Sequence, residues 1–136
     1  MAEQKTKILI VDDDPDILVA IGAVLEARNY QVVTARGGEE GLVKLKEERP
    51  DLMILDLLMP RKDGFAVCKE LQDPRWSKYS NTPILILTSI REEVSRRRYE
   101  LETGLSLDVD DYAEKPIDPF VLVERVENLL KKKRSS

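Results

Sequence analysis

The chain has 136 residues, a length that fits one folded domain, and its 42% hydrophobic, 35% charged and 5% aromatic residues support an aliphatic core. Its 22 basic and 26 acidic residues give a net charge of −4, the wrong sign for a domain that binds a nucleic-acid backbone by itself. With no histidine and a single cysteine, Cys68, the chain can form no His-based triad, no histidine metal site and no internal disulfide.

Short apolar runs at residues 8–11, 31–35, 52–55 and 83–87 predict four β-strands. Three of these runs are continuously apolar, which is typical of strands in a parallel sheet that helices cover on both faces, and the run at 31–35 is weaker. A fifth strand is predicted at 111–115, directly before Pro116. The sequence therefore favours a five-stranded parallel sheet.

Segments with helical spacing lie between these runs, after Pro15, after the Gly37-Gly38 turn, after Gly64 and near the carboxyl end. Asp14-Pro15 and Asp118-Pro119 each place a capping acid before a proline, which predicts two helix starts. The charged segment 91–102 is poorly amphipathic and predicts a loosely held helix, followed by a lengthened loop at 104–109. The β-α alternation predicts a doubly wound sheet whose binding site lies at the carboxyl ends of the strands.

The ends of the chain have a simple interpretation. We expect a single domain over residues 1–136, with a core at about 6–131 and a short basic tail. The amino-terminal residues show neither a signal peptide nor a membrane span, so we expect a cytoplasmic protein with no membrane contact. No DNA-binding segment follows Lys133, which suggests a stand-alone unit, although an excised piece of a longer protein stays open.

Polar side chains follow the central strands at the point where each strand ends. They are Asp12 and Asp13 after the first strand, Asp56 after the third, Thr88 and Ser89 after the fourth, and Lys115 after the fifth. Three carboxylates that converge repel one another and favour a hard divalent cation; a few oxygen ligands suit Mg²⁺ better than a Ca²⁺ cage. A calcium loop starting at Asp12 is excluded, because Ile17 stands where it needs glycine and Ala23 where it needs glutamate.

Other acids have more ordinary interpretations. Asp14 is expected to be a helix cap. Asp108, Asp110 and Asp111 could form a second metal site, but an acidic solvated loop is the better interpretation.

Four stretches together resemble the receiver domain of two-component response regulators. They are residues 8–14 (ILIVDDD), 54–64 (ILDLLMPRKDG), 86–89 (ILTS) and 111–116 (DYAEKP). The resemblance implies the flavodoxin-like strand order 2-1-3-4-5. It also implies roles for single residues. Asp56 would be the phosphoacceptor, and Asp12 and Asp13 would hold Mg²⁺ with Asp56 and the backbone carbonyl of Leu58. Lys115 would pair with the phosphoryl oxygens, Thr88 would bond the phosphoryl group and couple it to the surface, and Tyr112 would be the switch aromatic.

By this resemblance we expect a phosphorylation-dependent signalling switch and not an enzyme. A sensor histidine kinase or phosphotransfer protein would donate the phosphoryl group, and the altered surface would bind a downstream protein target instead of nucleic acid. An aspartyl-phosphate phosphatase or phosphotransferase is disfavoured, because it needs an acid where Leu58 stands. An interaction module without the chemistry is disfavoured by the retained acids and lysine. For Tyr112, the alternative to a switch role is an ordinary half-exposed strand tyrosine.

Overall fold

A computed structural model describes residues 5–89, 94, 97, 98, 100, 101, 103 and 109–135. Five parallel strands form one sheet in the order β2-β1-β3-β4-β5, which confirms the predicted α/β fold and strand order. The strands are β1 (Lys7–Val11), β2 (Gln31–Ala35), β3 (Leu52–Asp56), β4 (Ile84–Thr88) and β5 (Asp111–Glu114).

Four helices are assigned bounds, α1 (Pro15–Glu26), α2 (Gly38–Glu48), α3 (Gly64–Leu71) and α4 (Pro119–Ser135). A 3₁₀ helix at Pro74–Tyr79, which the sequence analysis did not predict, connects α3 to β4. The helix expected at 91–102 and the loop expected at 104–109 lie mostly outside the described residues. Within the described part of the chain, no helix combines the length and apolarity that a membrane crossing requires.

The core lies on both faces of the sheet. Alternate residues of a strand point to opposite faces, so Leu9 and Met53 pack with α2 and α3 while Ile8 and Ile54 pack with α1 and α4. Because β1, β3 and β4 are covered on both sides, their sequences are apolar at nearly every position. This double cover leaves the ends of the strands as the place where polar groups can gather.

Both predicted caps are present. Asp14 accepts a hydrogen bond from the Asp16 backbone N–H at 2.9 Å and starts α1, and Asp118 accepts from Phe120 N–H at 2.8 Å at the start of α4. Asp63 caps α3 in the same way through the Ala66 N–H. Such a cap stabilises a helix by about 1 kcal/mol, and it fixes the point where each chain segment leaves the sheet edge.

The register brings the carboxyl ends of the strands to one edge. Val11 at the end of β1 pairs with Leu55 of β3, and Thr88 at the end of β4 pairs with Glu114 of β5. The residues that follow these pairs therefore face a common space above the sheet. That space holds the candidate functional site.

Candidate functional site

Three acids form a compact cluster at this edge. Asp12 and Asp13 follow β1 and Asp56 is the last residue of β3, and one carboxylate oxygen of each lies within 4.8 Å of the other two. Asp12 is 2% exposed and Asp56 3% exposed, and they are the buried charged residues among those that the structure describes. We call these three residues the acid cluster.

Lys115, directly after β5, reaches across β4 to the acid cluster. Its Nζ donates hydrogen bonds to Asp12 Oδ2 at 3.2 Å and to Asp56 Oδ1 at 3.1 Å, and its side chain is 19% exposed. The sequence analysis predicted correctly that Lys115 lies at the carboxyl-terminal edge of the sheet. Its pairing with Asp12 as well as Asp56 was not predicted, because the resemblance implied only a contact with a phosphoryl group.

Repulsion between the carboxylates and their attraction to Lys115 are of comparable strength. At an effective dielectric near 20, two carboxylate charges no more than 4.8 Å apart repel by about 3.5 kcal/mol or more. Each Lys115 contact at 3.1–3.2 Å attracts by about 5 kcal/mol on the same scale. Lys115 therefore offsets the repulsion between Asp12 and Asp56, and the three acids and one lysine together still carry an excess of negative charge.

Burial raises the pKa of Asp12 above its ordinary value, and the nearby Asp56 carboxylate raises this pKa further. Two contacts act in the opposite direction: the Asp14 backbone N–H donates to Asp12 Oδ1 at 2.9 Å, and Lys115 lies beside the other oxygen. The raised pKa means that the unmetallated fold disfavours the charge on Asp12. A bound cation would reverse that preference.

The donor set fits a hard divalent cation. Every ligand atom offered by the acid cluster is a carboxylate oxygen, and neither a thiolate nor an imidazole competes. Leu58, whose backbone carbonyl the resemblance implies as a further ligand, is the second residue of the loop after Asp56. A few clustered oxygens with room for water suit Mg²⁺.

The two residues implied as switch residues lie on β4 and β5. Thr88 is the last residue of β4, next to Glu114 in register. Tyr112 is half-buried on β5 and packs against the core on the α2 and α3 face of the sheet. Tyr112 also borders a cavity of about 640 Å³ that Val121 and Arg125 of α4 help to line.

The acids before and within β5 have structural partners. Asp111 pairs with Arg125 Nη1 through both carboxylate oxygens, at 2.8 and 2.9 Å, and it lies in β5 instead of a solvated loop. Asp110 accepts a hydrogen bond from the Ile84 N–H at 2.8 Å. The expectation of a solvated loop is therefore wrong for Asp111, which is half-buried in β5 beside Arg125 of α4, whereas Asp110 is exposed and precedes β5. Asp108 lies outside the described residues.

Comparison with known proteins agrees with this geometry. The family model of the response regulator receiver domain matches residues 8–127. The probable transcriptional regulator ycf27 of Porphyra purpurea is 39% identical over 97% of this chain and 50% of its own length. The alkaline phosphatase synthesis transcriptional regulatory protein PhoP of Bacillus subtilis is 40% identical over 93% of this chain and 49% of its own length. The chain thus spans about half the length of these curated relatives.

A solved structure is similar over nearly its full length. The signal receiver domain of a signal transduction histidine kinase from Syntrophus aciditrophicus is 34% identical, with a TM-score of 0.77 over 93% of this chain and 91% of that chain. The similarity therefore extends from sequence motifs to the whole sheet and its helices.

Proposed function

The chain belongs to the response regulator receiver domain family of two-component systems, and from that premise we propose that it is a signalling switch controlled by a phosphoryl group on Asp56. The observation that carries the proposal is the position of Asp56. Asp56 is buried at the end of the central strand, lies close to Asp12 and Asp13, and accepts a hydrogen bond from Lys115 Nζ at 3.1 Å. Asp12 has the same kinds of neighbour, with Lys115 at 3.2 Å, but it follows β1, whereas Asp56 ends the central strand and matches the position of the family's phosphoacceptor.

The proposed reaction is an in-line displacement. A carboxylate oxygen of Asp56 attacks the phosphorus of a phosphohistidine on the donor protein, an O–P bond forms, and the N–P bond breaks with its electron pair returning to the imidazole. Lys115 neutralises charge on the phosphoryl oxygens and so stabilises the product. Mg²⁺ held by the acid cluster and the Leu58 carbonyl would supply further positive charge to those oxygens.

The consequence of phosphorylation is a change of partners for Lys115. In the unphosphorylated site this lysine is shared between Asp12 and Asp56. A phosphoryl group on Asp56 adds negative charge and new acceptor oxygens, so we propose that Lys115 and the Thr88 hydroxyl turn to that group. Tyr112 lies on β5, three residues before Lys115. A shift of Lys115 would therefore alter the position of Tyr112 and the surface beside α4.

The proposed partners are proteins. A histidine kinase or phosphotransfer protein is the donor, a downstream protein is the target, and both contacts take place in the cytoplasm. The net charge of −4 disfavours direct nucleic-acid binding by this domain. We propose that residues 1–136 form one receiver domain with its core at about 6–131, and that it turns over no free substrate as an enzyme, since Leu58 provides no general acid beside Asp56.

Intact-mass measurement after incubation with Mg²⁺ and acetyl phosphate tests the proposal. We expect the mass to rise by one phosphoryl group in the wild type and in Asp16→Asn, which removes an exposed acid near the same edge. Asp56→Asn should stay unmodified. Labelling of Asp56→Asn at the wild-type rate would refute the assignment, and omission of Mg²⁺ with no loss of labelling would refute the metal requirement.

The target is sought with the same protein. A pull-down with and without beryllofluoride, which mimics the phosphoryl group, should enrich a protein only when Asp56 is present and the mimic is added. Equal capture in both conditions would contradict a phosphorylation-dependent surface.

A further inference from the structure

The loop between Asp56 and α3, residues 57–63, forms one wall of a cleft beside the acid cluster. This cleft has a volume of about 650 Å³ and is bordered by Asp13, by the start of α2 and by residues 60–62. We call residues 57–63 the β3–α3 loop. It contains Leu58, whose carbonyl is the proposed backbone ligand of Mg²⁺.

The backbone of this loop is held closely at two points. The Gly64 N–H donates to the Leu57 carbonyl at 2.8 Å, and a Cβ at Gly64 would lie 2.5 Å from the Asp56 carbonyl oxygen. A Cβ at Gly38, in the first turn of α2, would lie 2.4 Å from the Lys62 carbonyl oxygen. The chain therefore closes on itself where the loop starts and ends, and the loop also contacts α2 near its carboxyl end.

The Lys62 side chain ties the same loop to two helices. Its Nζ lies 3.2 Å from Glu39 Oε1 of α2 and pairs with Glu70 of α3. Glu39 is 75% exposed, so its pair adds little, whereas the side chains of Lys62 and Glu70 are 21% and 28% exposed and hold the loop more firmly. The hydrogen bond to Glu70 raises the pKa of Lys62, so the ammonium stays charged at neutral pH.

We propose that Lys62 is a positioning residue for the cation at the acid cluster, because its pairs with α2 and α3 keep the β3–α3 loop where the Leu58 carbonyl can reach the ion. The inference rests on the proposed function. Mg²⁺ requires near-ideal octahedral geometry at short distances, so a loop that drifts loses the ligand. A residue that touches neither the ion nor its ligands thereby sets the affinity of the site.

Charge and position have opposite effects in this test. Lys62→Met removes a positive charge near a cation site, so a purely electrostatic role predicts tighter Mg²⁺ binding. Loss of the tether frees the loop and predicts weaker binding. Arg61→Met is the matched control, because it removes a positive charge from the neighbouring exposed residue of the same loop. Lys62→Arg restores the charge and the donors.

The experiment is a Mg²⁺ titration of the folded protein followed by backbone amide NMR shifts. We expect Lys62→Met to raise the dissociation constant about tenfold, at the lower end for residues behind the ligands. Arg61→Met should leave it unchanged or lower it, and Lys62→Arg should restore most of the wild-type value. Urea unfolding in EDTA checks that each variant is folded before titration.

The outcomes separate the inference from the proposed function. An equal or lower dissociation constant in Lys62→Met, or a rise of the same size in Arg61→Met, would overturn the positioning role while leaving the proposed function intact. Wild-type protein that binds no Mg²⁺ but is labelled at Asp56 would overturn both the metal requirement and this inference. Lys62→Ala must change binding in the same direction as Lys62→Met.

Discussion

Replacing Lys115 with methionine should destabilise the metal-free protein markedly. The change keeps the length of the side chain but removes the ammonium that faces Asp12 at 3.2 Å and Asp56 at 3.1 Å. Removing one partner of a buried ion pair costs about 3–5 kcal/mol, because the remaining charge has no compensation. Since the Lys115 side chain is 19% exposed, we expect a loss near the lower end, about 3 kcal/mol at neutral pH.

Urea unfolding in EDTA measures this loss. Trp76 is the single tryptophan and is buried, so its fluorescence reports unfolding. Lys69→Met is the matched control, because Lys69 is an exposed lysine on α3, and its effect should stay within about 0.5 kcal/mol. The double variant Lys115→Met with Asp12→Asn should recover part of the loss, since it also removes one of the repelling carboxylates.

Saturating Mg²⁺ gives the second half of the test. A cation at the acid cluster replaces the charge that Lys115→Met removes, so the difference in unfolding free energy between the variant and the wild type should narrow. Equal stability of the two proteins in EDTA would refute the electrostatic account of the site. A difference that widens in Mg²⁺ would show that the ion and Lys115 do not act on the same carboxylates.

Three further outcomes are expected. Asp13→Ala should weaken Mg²⁺ binding while leaving urea stability in EDTA unchanged or slightly higher, because it relieves repulsion, and a large loss of stability would make Asp13 structural. Because the pKa of Asp12 is raised in the fold, protonated Asp12 stabilises the metal-free protein. This stabilisation is fully present below pH 3.8 and is lost as pH rises through the folded-state pKa of Asp12. Protons should therefore compete with Mg²⁺ as pH falls through that pKa, and titrations from about pH 7 to about pH 4 that show constant affinity would contradict this. The side chains of Leu58 and Ile90 are apolar and cannot orient a water molecule, so the phosphoryl group on wild-type Asp56 should hydrolyse slowly. The double variant Leu58→Asn with Ile90→Glu should lose the phosphoryl group faster, as followed by intact mass. Equal decay rates would show that these side chains do not control water access to phosphorylated Asp56.

Much of the fold could be predicted from local sequence patterns. The continuous apolar runs of β1, β3 and β4 follow from burial on both faces, and the Asp-Pro pairs at Asp14 and Asp118 mark helix starts through backbone geometry and capping. Both signals act over a few residues, so they can be read without knowing which elements meet. The gathering of strand ends at one edge then follows from the parallel arrangement.

One element was missed although its start signal is present in the sequence. The 3₁₀ helix at Pro74–Tyr79 was missed, although Asp73 before Pro74 is the same type of start signal as the two that were recognised. Its stability depends on Trp76, which is buried against the core with Lys46 of α2 at 4.5 Å above its ring. That contact joins residues far apart in sequence, so the packing was decided only by the tertiary structure.

The acid cluster shows the same division. The sequence by itself determined that Asp12, Asp13, Asp56 and Lys115 occupy strand ends of one sheet edge, because residue type and strand position are local properties. Only the tertiary structure decided that Lys115 is shared between two buried carboxylates, and that Lys62 joins the neighbouring loop to α2 and α3. Such ion pairs depend on the distance between side chains on different packed elements, and the local sequence pattern does not contain that distance.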